Sequence, residues 1–340
     1  MRILLMMLLT SPILSFLPST ILRTGLRTKT SLSSTLPNLL TSTLTPHLSP
    51  TSRIALSCSG GIDSMSLLKS YITSDIKHPI DVVHFNHRTR SSMEHERDVE
   101  CISNLISNDP RCTLKVITNP SSSPFTQTLS SSWRKKHLSK YSIILTAHHF
   151  SDSIESQILK LTRGTSILNL KGIEREKYLG GGCLYLRPFV HLNKEELREF
   201  LGDVEYNQDE SNYDEEKGKR NYVRNKLLPI WKEMDGKVEE RFRGLEEEVE
   251  EIGEFLESEI IKRSELFEGE EFNVVGREYD YIDKLSFRRF TERYYISSKP
   301  IFDKIWEKIK SSIGKGPKWS LDLGGGWIVK FEKGVITVTK

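Results

Sequence analysis

Arg53-Ile54-Ala55-Leu56-Ser57-Cys58-Ser59-Gly60-Gly61-Ile62-Asp63-Ser64-Met65-Ser66-Leu67-Leu68 is an apolar run, a double glycine and the start of a second apolar run. The pattern predicts a short strand, a tight turn and the opening of a helix. Glycine lets backbone approach a ligand closely, and the first N–H groups of a helix have no partner inside it. Free donors and the helix dipole together make an anion site, phosphate being its natural occupant. Ser59 and Ser64 can add hydroxyl donors, and Asp63 can hold a divalent cation beside the phosphates. The Walker pattern G-x-x-x-x-G-K-[ST] is absent, so this is another kind of phosphate loop. The competing reading is an ordinary glycine turn in which Ser59 or Asp63 only caps a helix.

Working outward, further strands are predicted at residues 80–85, 113–117 and 142–146, alternating with helical patterns. That alternation implies a parallel sheet covered by helices, with ligands at the carboxyl ends of the strands. The polar clusters fall at those ends. After the second strand comes His84-Phe85-Asn86-His87-Arg88-Thr89-Arg90, and after the fourth Ala147-His148-His149-Phe150-Ser151-Asp152-Ser153-Ile154-Glu155-Ser156. A lone histidine is usually structural, but two clusters beside a phosphate loop read as site residues. Asp152 and Glu155 share one helix face by their spacing, and the bland alternative is a solvated acidic helix start favoured by the dipole.

The 340 residues suffice for two or three domains, and 37% hydrophobic with 28% charged residues suits a soluble globular chain. Cys58, Cys101, Cys112 and Cys183 form no C-x-x-C pair, which argues against a zinc ribbon, an iron–sulfur site or a disulfide framework. Residues 1–50 hold Arg2, Arg23, Arg27 and Lys29 and no acid; taking those four charges from +3 leaves −1. Any nucleic-acid contact must therefore come from local patches. The same fifty residues read as a targeting leader that is removed. Ile3–Leu9 forms a short apolar core, and a Ser/Thr-rich, acid-free stretch of transit-peptide composition follows. Plastid is the first expected destination and mitochondrion the second, and no apolar run is long enough to anchor the chain in a membrane.

The motif S-G-G-x-D-S at Ser59–Ser64 resembles the pyrophosphate loop of the ATP pyrophosphatase superfamily. H-x-N-H-x-x-R at His84–Arg90, H-H-x-x-D-x-x-E-S from His148 and L-x-R-G at Leu161–Gly164 follow it. With Arg187-Pro188, Asp209-Glu210-Ser211-Asn212 and Arg220–Pro229 in order, residues 53–232 resemble the tRNA(Ile)-lysidine synthetase family. The resemblance implies an α/β fold, with the Rossmann-like parallel sheet of the PP-loop ATP pyrophosphatases in residues 51–232. A helical linker and a small α+β accessory domain for tRNA would fill residues 233–340.

It also implies ATP-dependent attachment of L-lysine to C2 of the wobble cytidine in a CAU-anticodon isoleucine tRNA, through an adenylated cytidine. ATP would lie on Ser59, Gly60, Gly61, Ile62, Asp63 and Ser64, with His84, Asn86, His87, Arg90 and Arg163 lining the nucleotide side. Mg2+ would use Asp63, and His149, Asp152 and Glu155 would orient or deprotonate the lysine amine. Arg134, Lys219, Arg220, Tyr222, Arg224 and Lys226 are the expected tRNA contacts, cations with an aromatic that can hold phosphate and stack a base. A homodimer is an open expectation.

Two departures leave alternatives standing. Ser151 and Ser153 occupy positions where the family has an acid and a glutamine, and Ser131 stands for an arginine. The alternatives are another PP-loop tRNA-modifying or amide-forming synthetase, or a tRNA-binding protein that has lost catalysis. Towards the C-terminus, Phe242, Leu245, Val249, Ile252, Leu256 and Ile260 recur at threes and fours among glutamates, predicting a long amphipathic packing helix. Gly324-Gly325-Gly326 predicts a β-turn rather than a phosphate site, since no helix follows.

Overall fold

The computed structural model describes residues 32–88, 92–121, 126–179, 182–207, 218–262, 267–268, 271–273, 281–292, 299–312, 318–324, 327–332 and 335–339. The chain divides into two compact units, the first comprising Met1–Gly164 with Gly172–Glu239, the second Thr165–Lys171 with Glu240–Lys340.

In the first unit the helices are α1 (Leu32–Leu44), α2 (Ile62–Ile72), α3 (Ser92–Ile106), α4 (Gln127–Leu138), α5 (Phe150–Thr162) and α6 (Lys194–Leu201). The strands are β1 (Ile54–Ser57), β2 (Ile80–Asn86), β3 (Cys112–Thr118), β4 (Ile143–Leu145), β5 (Glu176–Leu179) and β6 (Cys183–Leu186). They form a six-stranded sheet in the order β3-β2-β1-β4-β6-β5. All neighbours are parallel except the edge pair β5–β6. Ile54, Ala55 and Leu56, Val82 and Val83, and Ile143 through Leu145 are all buried. Near-continuous apolar strands of this kind belong to a sheet covered on both faces. The four expected strands form within a residue or two of their expected ends; β5 and β6 were not anticipated.

From β1 the chain steps outward to β2 and β3, then returns on the other side of β1 as β4. The loops after β1 and β4 therefore diverge, opening a crevice at their carboxyl ends. Beyond α6, a short helix α7 (Lys219–Tyr222), a π turn (Val223–Leu227) and α8 (Leu228–Met234) close the unit.

The expected boundary at residue 51 is corrected. Leu36, Leu40 and Leu44 of α1 are fully buried in the core with Met65, Leu68, Tyr71, Leu197 and Leu201. Arg175 donates to Thr43, and His47 Nε2 lies 3.3 Å from Glu176 Oε1. A leucine ladder at i, i+4, i+8 gives α1 one apolar face despite its Ser/Thr content and an internal Pro37. The leader reading of residues 1–31 falls outside the described residues.

The second unit contains α9 (Val238–Lys262), β7 (Phe267–Glu268), β8 (Glu271–Asn273), α10 (Tyr281–Glu292), α11 (Lys299–Ser312), β9 (Trp319–Gly324), β10 (Trp327–Glu332) and β11 (Val335–Thr339). Its sheet is antiparallel, β7-β8-β11-β10-β9. Phe287, Phe302, Ile305, Trp306 and Ile309 pack on Val329, Phe331, Ile336 and Val338. Trp327 pairs opposite Gly324; Gly325 and Gly326, where the turn was expected, lie outside the described residues. On α9 the expected stripe buries Val249, Leu256 and Ile260 but leaves Ile252 exposed. Among the described residues no helix is long and apolar enough to cross a membrane.

Candidate active site

The turn after β1 is built largely from its own hydroxyls. Ser64 Oγ donates to Gly61 O at 3.0 Å and accepts from the Ser59 N–H at 3.1 Å, while the Ser59 and Ser64 hydroxyls lie 3.1 Å apart. Both serines thus brace the turn in this state rather than stand free. Gly60 has φ +85°, a left-handed backbone that suits glycine. Gly61 is the N-cap of α2, and its N–H makes one long contact, 3.5 Å to Ser59 Oγ. The Ile62 side chain is buried in the core, so Ile62 can offer a ligand only its backbone. The first turn of α2 therefore presents unspent N–H donors at a crevice, the arrangement that holds an anion.

His84 is placed differently from expectation. It is buried behind the turn, with Nδ1 3.0 Å from Cys58 O and Nε2 3.1 Å from His95 Nδ1. A carbonyl only accepts, so Nδ1 carries a proton and His84 supports the loop from beneath. Burial pushes the neighbouring Cys58 thiol up to about 11, leaving it neutral. Asn86 Oδ1 accepts from the Arg88 N–H at 2.9 Å, and His87 Nδ1 lies 2.8 Å from Ser130 Oγ beside Trp133. These two shape the end of β2, half-buried. Arg90 lies outside the described residues.

Across the crevice, His149 is the N-cap of α5. Its Nε2 lies 3.7 Å from Asp63 Oδ2 and 3.5 Å from Asp152 Oδ2, so one imidazole links the helix starts behind β1 and β4. Burial pulls the His149 pKa down, but the nearby carboxylates of Asp63 and Asp152 more than offset it, and the net shift is upward. Burial pushes Asp152 up, and His149 and Arg220 outweigh it, leaving the carboxyl below its usual range. His148 goes the other way, burial lowering it to about 4, so it stays neutral at pH 7.

Asp152 and Glu155 are held by two arginines from the segment after α6. Arg220 Nη2 is 2.9 Å from Asp152 Oδ1 and Arg220 Nε is 2.7 Å from Glu155 Oε2. Arg224 Nη2 is 3.1 Å from Asp152 Oδ1 and Arg224 Nε is 2.5 Å from Glu155 Oε1. The two arginines, expected to meet tRNA, here lock the candidate catalytic carboxylates from the other side. Their i, i+4 spacing puts both on one face, next to the π turn that Arg224 enters; π turns recur at functional sites. Lys219, Tyr222, Lys226 and Arg134 are exposed, as a nucleic-acid surface requires.

The Arg163 expectation is corrected. Arg163 is the exposed C-cap of α5, and thirteen helical residues put it about 20 Å from the end that carries His149. Ser153 is also accounted for: its Oγ accepts from the Ile173 N–H at 2.7 Å, a structural contact. Asp98, Asn207 and His95, which brace the phosphate turn, were missed; all three lie outside the quoted motifs, and only the fold brings them to the turn.

Asp63 Oδ1 and His149 Nδ1 are buried without a hydrogen-bond partner. A buried, unsatisfied carboxylate oxygen beside free N–H donors fits a hard divalent cation carried in with phosphates. Among the described residues no group of three or more His, Cys, Asp or Glu could hold a metal. Such an ion would therefore depend on phosphate and water oxygens, with Asp63 as its protein ligand.

The PP-loop domain family matches residues 29–231, and this chain belongs to that family. Within it, the chain is 26% identical over 206 residues to the tRNA(Ile)-lysidine synthase of Streptococcus sanguinis (strain SK36), covering 58% of this chain and 46% of that one. It is 30% identical over 189 residues to the tRNA(Ile)-lysidine synthase of Streptococcus pyogenes serotype M3 (strain ATCC BAA-595 / MGAS315), covering 53% and 41%. The chain thus spans less than half the length of these curated relatives. Among solved structures, U34-tRNA thiolase NcsA from Methanococcus maripaludis is similar at TM-score 0.47 and 14% identity, over 63% of this chain and 78% of that one. That score is too low to define a common fold.

Proposed function

We propose that the chain ligates L-lysine to C2 of the wobble cytidine in CAU-anticodon isoleucine tRNA, converting ATP to AMP and pyrophosphate. The observation that carries this is the pairing of two half-sites across one crevice. The amide-lined turn with Asp63 faces the Asp152–Glu155 pair, and His149 joins them. A two-step ligase needs both: an anion cradle for the triphosphate, and carboxylates for a cationic amine.

In this reading Gly61 and Ile62 N–H groups hold phosphate oxygens, and Asp63 would hold a magnesium ion, which would supply positive charge to offset that of the pyrophosphate. The cytidine C2 oxygen attacks the α-phosphorus and pyrophosphate leaves. Asp152 and Glu155 then orient the lysine ε-ammonium, and a carboxylate or His149 takes its proton. The amine attacks C2, the C2–O bond breaks and AMP departs. Exposed Lys219, Tyr222, Lys226 and Arg134 meet the anticodon arm. We further propose that residues before Leu32 carry an organelle address, plastid before mitochondrion, which a fluorescent fusion of residues 1–31 tests.

Incubation with ATP, labelled lysine and CAU-anticodon tRNA tests the main reading. Lysine transfer is expected, and Asp63→Asn abolishes it with little loss of tRNA affinity. Intact tRNA binding without transfer would favour a degenerate tRNA-binding protein. ATP–pyrophosphate exchange with neither lysine nor this tRNA would favour another PP-loop synthetase.

A further inference from the structure

The phosphate turn is tied back by a residue that belongs to none of the motifs. The backbone N–H of Asn207 donates to Gly60 O at 3.0 Å. Its side-chain Nδ2 donates to Asp98 Oδ1 at 2.9 Å and to Glu94 O at 3.2 Å. Asp98 is buried and stands where a Gly60 Cβ would lie, 2.6 Å from its Oδ1.

A trans peptide unit points its C=O and N–H in opposite directions. Fixing Gly60 O on Asn207 therefore turns the Gly61 N–H to the side away from Asn207, where its one contact is the long 3.5 Å approach to Ser59 Oγ. With glycine on both sides of this peptide, sterics alone do little to stop it flipping. A flipped unit would present a carbonyl oxygen to an incoming phosphate and withdraw a donor. The hydrogen bond from Asn207 is the restraint against that, and Asp98 and Glu94 hold Asn207 in place.

We propose that Asn207 is a positioning residue for nucleoside triphosphate, fixing the Gly60–Gly61 peptide with its N–H towards the phosphates; this rests on the nucleotide reading above. The test is calorimetric titration of the full chain with a non-hydrolysable ATP analogue and Mg2+, beside ligand-free melts and tRNA binding. Asn207→Ala and Asn207→Asp lose the Nδ2 donor, whereas Asp98→Asn keeps an acceptor for it. The analogue is expected to bind about tenfold more weakly to both Asn207 variants and near normally to Asp98→Asn, with tRNA affinity unchanged. Asn207→Asp is nearly isosteric and carries the test should Asn207→Ala not fold. Variants that melt earlier yet bind the analogue like the wild type would make Asn207 a structural brace and overturn the proposal. A wild-type chain that binds no analogue would instead bring down the nucleotide reading itself.

Discussion

At Gly60 the backbone sits at φ +85° and a Cβ would meet Asp98 Oδ1 at 2.6 Å, a carboxylate already engaged by Asn207. Gly60→Ala therefore combines left-handed strain with a clash against a pinned side chain, costing roughly 2 kcal/mol or more. It is expected to lower the melting temperature and abolish saturable ATP binding, both read in one nucleotide-titrated melt. Glu155 differs in kind: it is 1% exposed and bonded by both Arg220 and Arg224. Glu155→Gln removes the charge those arginines pair with and half of the proposed ammonium site. The kcat/KM for lysine is expected to fall about a hundredfold, while ATP affinity stays unchanged. Which of these residues the chain itself announced is uneven. Ser59 through Ser64 are legible because turn, glycines and helix start are contiguous. His84 looked like a ligand because it neighbours Asn86 and His87, but strand alternation puts it on the face opposite Phe85 and His87, where it bonds Cys58 O behind the loop.

Elements were legible where one period dominates. β1 and β4 are apolar runs ending in polar clusters, so both their position and the crevice between them follow from the sequence. β6 was not legible, because Cys183-Leu184-Tyr185-Leu186 is a short run beside Gly182 and before Arg187-Pro188. Helix α1 was hidden by composition. Serine, threonine and an internal proline suggested a leader, while only every fourth residue carries the leucine face. Removal of residues 1–31 is expected to leave stability intact. Removal of residues 1–50 uncovers the core under Leu36, Leu40 and Leu44 and costs on the order of 5 kcal/mol. Thermal melts of the two truncations decide it; equal melting temperatures would contradict the packing of α1.

At the scale of the molecule, and among the described residues, the two buried clusters that pack on the parallel sheet share no residue with the one around Phe287 and Trp306. Trp306→Ala is expected to cost its own unit about 3–5 kcal/mol. Calorimetry should show one transition moving and one staying, with nucleotide affinity unchanged; a single shifted transition would mean the units melt together. The split itself was only partly legible, since no composition marks residues 165–171 as belonging with the C-terminal unit. The π turn at Val223–Leu227 has a consequence for lineages as well as for this chain. Buried Val223 and Leu228 bracket it, so its register sets the angle between the arginines and the anchored helix beyond. Loss of the Asn225 codon there would leave Arg220 and Arg224 in the gene and swing them by roughly 100° about the axis relative to the helix beyond. Such a descendant would keep both arginines and both carboxylates of the proposed site and still be catalytically silent.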